Sequence, residues 1–270
     1  MLTALAAGGA AAATALATRT IDDGALAQAF ARTNHAGASV SLSEGVGLAA
    51  GTLATALITR DDAALLAAAA GAGFGALDDH RESGNAKGLK GHLRSLARGT
   101  LTTGAAKLVG ISAAAGLAAL MIGRDRGARG LARLMDAGVD AALIAGSANL
   151  INLLDLRPGR ALKGAGALTA LAALLAEDRG EIRADIAGLA ATIATAAPGD
   201  LAGEKMMGDT GANALGAATG VLLARGMSRP VRVAAASAIV GLILASEKVS
   251  FSAVIDANPA LSAIDRWGRG

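Results

Sequence analysis

Apolar residues run along the chain in blocks almost free of charge. Charged residues gather between them, as at Arg60-Asp61-Asp62, Asp78 to Arg98, Arg124 to Arg133 and Glu177 to Arg183. The blocks predict nine helices: Leu2 to Thr18, Glu44 to Thr59, Ala63 to Leu77, Leu101 to Ile122, Leu134 to Leu154, Gly164 to Ala176, Ile186 to Ala197, Thr210 to Ala224 and Val233 to Ser246. The runs lack the strict alternation of barrel strands, so the expected fold is all-α with no sheet of consequence.

Several blocks are shorter than the roughly 17 to 25 residues of a membrane span, and runs of about 10 to 14 also serve as core helices in water. Composition separates the two readings. The 270 residues are 53% hydrophobic, 17% charged and 1% aromatic, against about 25% charged in an average soluble domain. Nine Ala-rich helices would bury little apolar area per residue in water. In lipid, small side chains let helices approach closely and no bulky core is required. The expectation is a polytopic membrane helix bundle of about nine transmembrane helices, with residues 1–270 as a single integral membrane domain and no internal repeat.

Arg19 follows the first block and no basic residue precedes it. That order lacks the positive start of a cleavable leader and predicts a retained helix with its N-terminus outside. Counting alternately, the loops near 19–43, 78–100, 155–163, 198–209 and 247–270 fall on the cytoplasmic side. Lys87, Lys90, Lys163, Lys205 and Lys248 lie in them, and only Lys107 lies in a predicted span. This favours a multi-pass protein of the inner or plasma membrane with its chemistry facing the cytoplasm. In the final stretch, Phe251, Val254, Ile255, Leu261, Ile264 and Trp267 recur at near-helical spacing, which predicts that 247–270 is an amphipathic tail on the cytoplasmic membrane face. The absence of Cys excludes a disulfide framework and thiolate metal sites. The formal net charge of +3 suits an anionic membrane surface. With so few aromatics to stack on bases, nucleic acid is not an expected partner.

Three polar segments share the predicted cytoplasmic side: Asp78-Asp79-His80, Asn149-Leu-Ile-Asn152-Leu-Leu-Asp155-Leu-Arg157-Pro158, and Gly208-Asp209-Thr210-Gly211-Ala-Asn213. Each has an ordinary structural reading. Asp78 and Asp79 end a helix, Asp209 suits a helix cap, and Asn149 and Asn152 suit hydrogen bonds between helices. Gly208 and Gly211 at a helix N-terminus also suit the approach of a phosphate to backbone N–H groups. Their common side is the strongest functional signal.

The order Leu-Asp78-Asp79, Gly88-Leu89, Asn149-x-x-Asn152-Leu-x-Asp155 and Gly208-Asp209-Thr-Gly211 resembles the polyprenyl-phosphate N-acetylhexosamine-1-phosphate transferases, a family that includes phospho-N-acetylmuramoyl-pentapeptide transferase. The resemblance spans about Asn34 to Ser246. It implies transfer of a sugar-1-phosphate from a UDP-sugar to a polyprenyl phosphate, with Mg²⁺ and release of UMP, in cell-wall or surface-polysaccharide synthesis. It also implies that Asp209 binds the metal and that Asp78, Asp79 and Asp155 are catalytic. Lys90, Arg94, Asn149, Asn152, Arg157, Gly208 and Gly211 would contact substrate, and a homodimer is compatible. The charges fit independently. A donor diphosphate and an acceptor phosphate bring together about four negative charges, which carboxylates tolerate only around a hard cation such as Mg²⁺.

The chain departs from the family pattern at three places. Pro158 stands where the family has a second aspartate, Leu156 replaces the glycine before it, and a late histidine-rich loop is missing, the only histidines being His35, His80 and His92. Two other readings therefore stand beside the enzyme: a family-derived protein that binds polyprenyl phosphate or nucleotide-sugar without turnover, and a small-solute transporter using Lys107, Asp136 and Asp140 within or near spans.

Overall fold

The computed structural model describes residues 1–33, 37, 39–80, 102–127 and 129–269. Among these residues the chain forms α1 (Leu2–Asp22), α2 (Ala27–Phe30), a hairpin of β1 (Ala31–Thr33) and β2 (Ser39–Ser41), α3 (Ser43–Thr59), α4 (Asp62–His80), α5 (Thr103–Asp125), α6 (Gly130–Leu154), α7 (Arg160–Leu175), α8 (Arg179–Leu201), α9 (Gly208–Gly226), α10 (Arg229–Ser246), α11 (Phe251–Ala257) and α12 (Pro259–Arg266). The fold is thus all-α apart from the antiparallel hairpin, in which Arg32 faces Val40. Each of the nine apolar blocks falls on one long helix, although Thr102 and Ala176 serve as caps of theirs and Leu101 lies outside the described residues. The helices run further than the blocks, because their polar first and last turns carry no hydrophobic signal. Arg160 opens α7 and Arg179 opens α8 well before the apolar residues begin.

Close approach of small residues sets the architecture. α9 is the axis, buried continuously from Gly211 to Ala224 and surrounded by α3, α4, α6, α7 and α8. A Cβ on Gly211 would stand 2.7 Å from the Gly45 Cα on α3, one on Gly75 of α4 would stand 2.3 Å from the Asp209 carbonyl oxygen, and one on Gly220 would stand 2.6 Å from the Ile144 Cα on α6. Backbones touch at these crossings, so only glycine fits. The buried interior is mostly Ala, whereas large aliphatic side chains point outward: Leu134 is 63% exposed, Leu174 68% and Leu244 58%. That arrangement, small inside and large outside, is compatible with contact to lipid and opposite to a core built for water.

Among the described residues, three helices are long and apolar enough to cross a membrane: Thr103–Arg124 within α5, Gly130–Leu154 as α6, and Arg229–Ser246 as α10. α3 and α7, at 17 and 16 residues, are shorter than a typical span. α9 carries Asp209, Asn213 and five glycines, but protein surrounds it on all sides, so its composition need not satisfy lipid.

Ion pairs tie the helix ends into two layers. At one end Arg126 and Arg232 both bind the fully buried Asp140, Arg225 pairs with Asp61 at 2.8 Å and Arg229 with Asp136 at 2.7 Å. At the other end Lys205 pairs with Asp22, and Ser41 of β2 exchanges backbone hydrogen bonds with the segment before α9, donating to the Glu204 carbonyl and accepting from the Met206 N–H, both at 3.1 Å. The candidate site lies at this second end.

Candidate active site

Asp78 and Asp79 occupy the last turn of α4, where the negative end of the helix dipole disfavours carboxylates. Each finds a positive partner elsewhere. Asp79 reaches the N-terminus of α9: one carboxylate oxygen accepts from the Asp209 N–H at 2.9 Å, and the other accepts from the Thr210 N–H at 2.9 Å and from the Thr210 hydroxyl at 2.6 Å. Asp78 accepts from the Lys107 ammonium at 2.9 Å, and the same ammonium pairs with Asp209. Asp155, at the C-terminus of α6, accepts from the Gly208 N–H at 2.8 Å. Four carboxylates and one lysine from α4, α5, α6 and α9 therefore meet at one helix N-terminus.

Gly208 makes the meeting possible, since its φ of +57° turns the chain into α9 so that its N–H faces Asp155. Burial pushes the Asp155 carboxyl well above the usual carboxylate range. The charges of Asp200, Asp209 and Asp79 push the same way, and the Gly208 N–H pulls it back.

This geometry corrects two expectations. Asp209 does not cap α9 with its own side chain. Asp79 and Asp155 do so instead, taking the N–H groups of Gly208, Asp209 and Thr210 at the helix N-terminus where Gly208 and Gly211 were expected to let a phosphate approach. Gly211 serves the contact with Gly45. Arg157 turns away from the cluster, paired with Asp256 at 2.9 Å on the exposed surface. Lys90 and Arg94 lie outside the described residues.

Asn149 and Asn152 line a cavity of about 430 Å³ between α5, α6, α9 and α10 that also touches Lys107. Asn213 and Glu247 add polar groups, while Leu108, Ile111, Val240 and Ile243 supply an apolar wall. The volume falls within the range of about 300 to 1,000 Å³ typical of small-molecule sites. Sequence reasoning left Lys107 and Asn213 out of the site. The signal for Lys107 was its solitude in an apolar helix, a position that costs too much without a charged partner. Asn213 donates to the Asp209 carbonyl at 2.7 Å and so braces the first turn of α9.

Asp78 and Asp209 already share one cation, the Lys107 ammonium. Two hard carboxylates around a single positive charge match the one or two that Mg²⁺ commonly takes from protein, the remainder coming from phosphate and water. Among the described residues, no three His, Cys, Asp or Glu side chains are grouped so as to hold a metal by themselves. A metal here would thus draw its other ligands from substrate. No protein-family model, no curated protein and no solved structure matches the chain.

Proposed function

We propose that the chain transfers a sugar-1-phosphate from a UDP-sugar to a polyprenyl phosphate and releases UMP. The observation that carries this reading is the convergence of Asp78, Asp79, Asp155 and Asp209 with Lys107 beside a cavity that is polar at one end and apolar along its wall. The reaction forms a bond from an acceptor phosphate oxygen to the sugar-bound phosphorus and breaks the bond from that phosphorus to the UMP oxygen. Little covalent work falls to the protein, so charge placement matters most.

Asp78 and Asp209 would hold Mg²⁺, which when bound neutralises phosphate charge. Lys107 would then release the carboxylates and turn its ammonium to a phosphate in the adjoining cavity. Asp79 and Asp155 fix the first turn of α9 and thereby hold Asp209 in place. Asn149, Asn152 and Asn213 would orient the polar part of a substrate, and Leu108, Ile111, Val240 and Ile243 would take the start of a prenyl chain.

The reading includes nine membrane crossings with the site at the cytoplasmic face. Outward-facing leucines on α1, α5, α6, α7 and α10 support it, as does the shielding of α9 from lipid. A second reading, binding without turnover, is favoured by one observation: Asp79 spends both carboxylate oxygens on α9, leaving fewer groups for chemistry. Incubating the purified protein with undecaprenyl phosphate, Mg²⁺ and a panel of UDP-sugars separates the two. Release of UMP together with a lipid-linked sugar supports the enzyme, and tight binding of either substrate without UMP supports the binding protein.

A further inference from the structure

The segment after α10 has two chemically distinct sides. Its inner side grips the turn between α6 and α7. Arg160, 5% exposed, binds Asp265, also 5% exposed, through two parallel hydrogen bonds of 2.7 and 3.0 Å, and reaches the Ser252 hydroxyl at 2.8 Å. Lys163 donates to the Asp265 carbonyl at 2.8 Å, and Arg269 donates to the Pro158 carbonyl at 2.7 Å. The gripped turn begins at Asp155, whose carboxylate holds Gly208.

The outer side exposes a set of apolar side chains that no described residue buries. On α12, Ala260, Ala263 and Ile264 share one outward arc, which Trp267 continues just past the helix; Ile264 is 61% and Trp267 75% exposed. Val254 of α11 is exposed as well, as are Leu242 and Leu244 of α10, one of the helices apolar enough to cross a membrane. Arg266 and Lys248 lie exposed beside it, the charge pattern of a helix lying on an anionic lipid face.

We propose that residues 251–269 form a bilayer-seated strap: lipid takes the outer stripe of Val254, Ile264 and Trp267, and the inner grip on Pro158 and Arg160 thereby holds the Asp155 turn against the N-terminus of α9. Amphipathic spacing alone indicates a helix at the membrane surface. The buried Arg160–Asp265 pair adds that lipid seating and the position of the Asp155 turn are one mechanical unit. The bidentate geometry makes the inner grip directional, and the apolar arc is on the opposite side, so loss of lipid contact loads the grip rather than sparing it. Arg160 and Asp265 are positioning residues, since neither touches the carboxylate cluster. The inference rests on the membrane reading of the chain and is independent of which reaction, if any, the site performs.

Trp267 is the only tryptophan in the chain, so intrinsic fluorescence reports on the strap alone. The full-length protein is placed in phosphatidylcholine–phosphatidylglycerol nanodiscs, with or without lipids brominated near the carbonyl end of the acyl chains. The emission is expected to be quenched by the bromines and shielded from aqueous iodide. Val254→Glu with Ile264→Glu, both at exposed positions, should lose most of the bromine quenching and raise hydrogen exchange at residues 156–162. Asp265→Ala should raise the same exchange by cutting the inner grip. Trp267 quenched by iodide and untouched by bromine in nanodiscs overturns the lipid seat. Shielding that grows with protein concentration in detergent assigns the stripe to a second copy and overturns it equally. Lost bromine quenching with unchanged exchange at 156–162 overturns the strap. A protein that does not enter nanodiscs at all removes the membrane reading first, an outcome distinct from an inserted protein whose Trp267 stays in water.

Discussion

Asp79 caps the helix that begins at Gly208, its carboxylate accepting both the backbone N–H and the hydroxyl of Thr210, 131 residues away in sequence. A cap supplied by another helix fixes the distance between the two as well as closing the helix end. Asp79→Ala should therefore lower stability by about 1 to 3 kcal/mol, the cost of an unsatisfied helix N-terminus and a lost charge-assisted network. Thermal unfolding in detergent measures it. A melting temperature equal to wild type would show that water replaces the cap without loss.

The helices were legible in the sequence and their partnerships were not. Charge-free blocks located the nine long helices found among the described residues, because apolar residues mark the buried and outward surfaces alike. Arg157 and Arg160 looked equivalent as loop cations, yet Arg157 pairs with exposed Asp256 while Arg160 is buried against Asp265. That choice depends on where α12 docks, which no local pattern encodes. Lys107 was visible as a lone charge in an apolar helix, but its pairing with Asp78 and Asp209 required the crossing of α4, α5 and α9. The crossings themselves depend on glycines such as Gly75 and Gly211, which in an Ala/Gly-rich chain do not stand out.

Lys107 holds Asp78 and Asp209 together, and the three side chains are 19 to 22% exposed. Lys107→Met should destabilise the protein by about 1 to 3 kcal/mol, less than the about 3 to 5 kcal/mol of a fully buried broken pair. Because the two carboxylates then lack a cation, Mg²⁺ should raise the melting temperature of Lys107→Met more than that of wild type. Equal shifts in the two proteins would argue that Asp78 and Asp209 do not share a metal.

Gly75 is where α4 touches α9, with the Asp209 carbonyl oxygen 2.3 Å from the position of a Cβ. Gly75→Val should force α4 away by more than a side-chain adjustment can absorb and cost about 1 to 3 kcal/mol. The displacement also draws Asp79 off the N-terminus of α9. At Gly73, where a Cβ meets nothing within 4 Å, Gly73→Ala should leave melting unchanged or slightly raised. Equal losses at both positions would contradict the packing account.

Asp265 sets a pH dependence for the strap. The Arg160 guanidinium beside it holds its carboxyl below the usual carboxylate range, with Arg269 adding to the effect. A depressed folded value means that the contribution is complete above the ordinary carboxylate pKa of about 3.9 and is lost as pH falls through the lower folded value. Trp267 anisotropy should stay constant from pH 8 to about 5 and fall only below about 4. A drop centred near neutrality would mean that another group controls docking of the tail.

The central claim is phosphoryl transfer at a site organised around Asp209, and one comparison tests it. UMP release from a UDP-sugar panel with undecaprenyl phosphate is followed across a Mg²⁺ titration for wild type and Asp209→Asn, with melting recorded for both. Asn keeps the side chain's size and removes its charge, and Asp209 makes no side-chain cap to lose. The account predicts Mg²⁺-dependent UMP release by wild type, a fall of about 100-fold or more in Asp209→Asn, and melting that stays close to wild type. No UMP from wild type with any UDP-sugar, or equal rates and equal Mg²⁺ dependence in the two proteins, would contradict it.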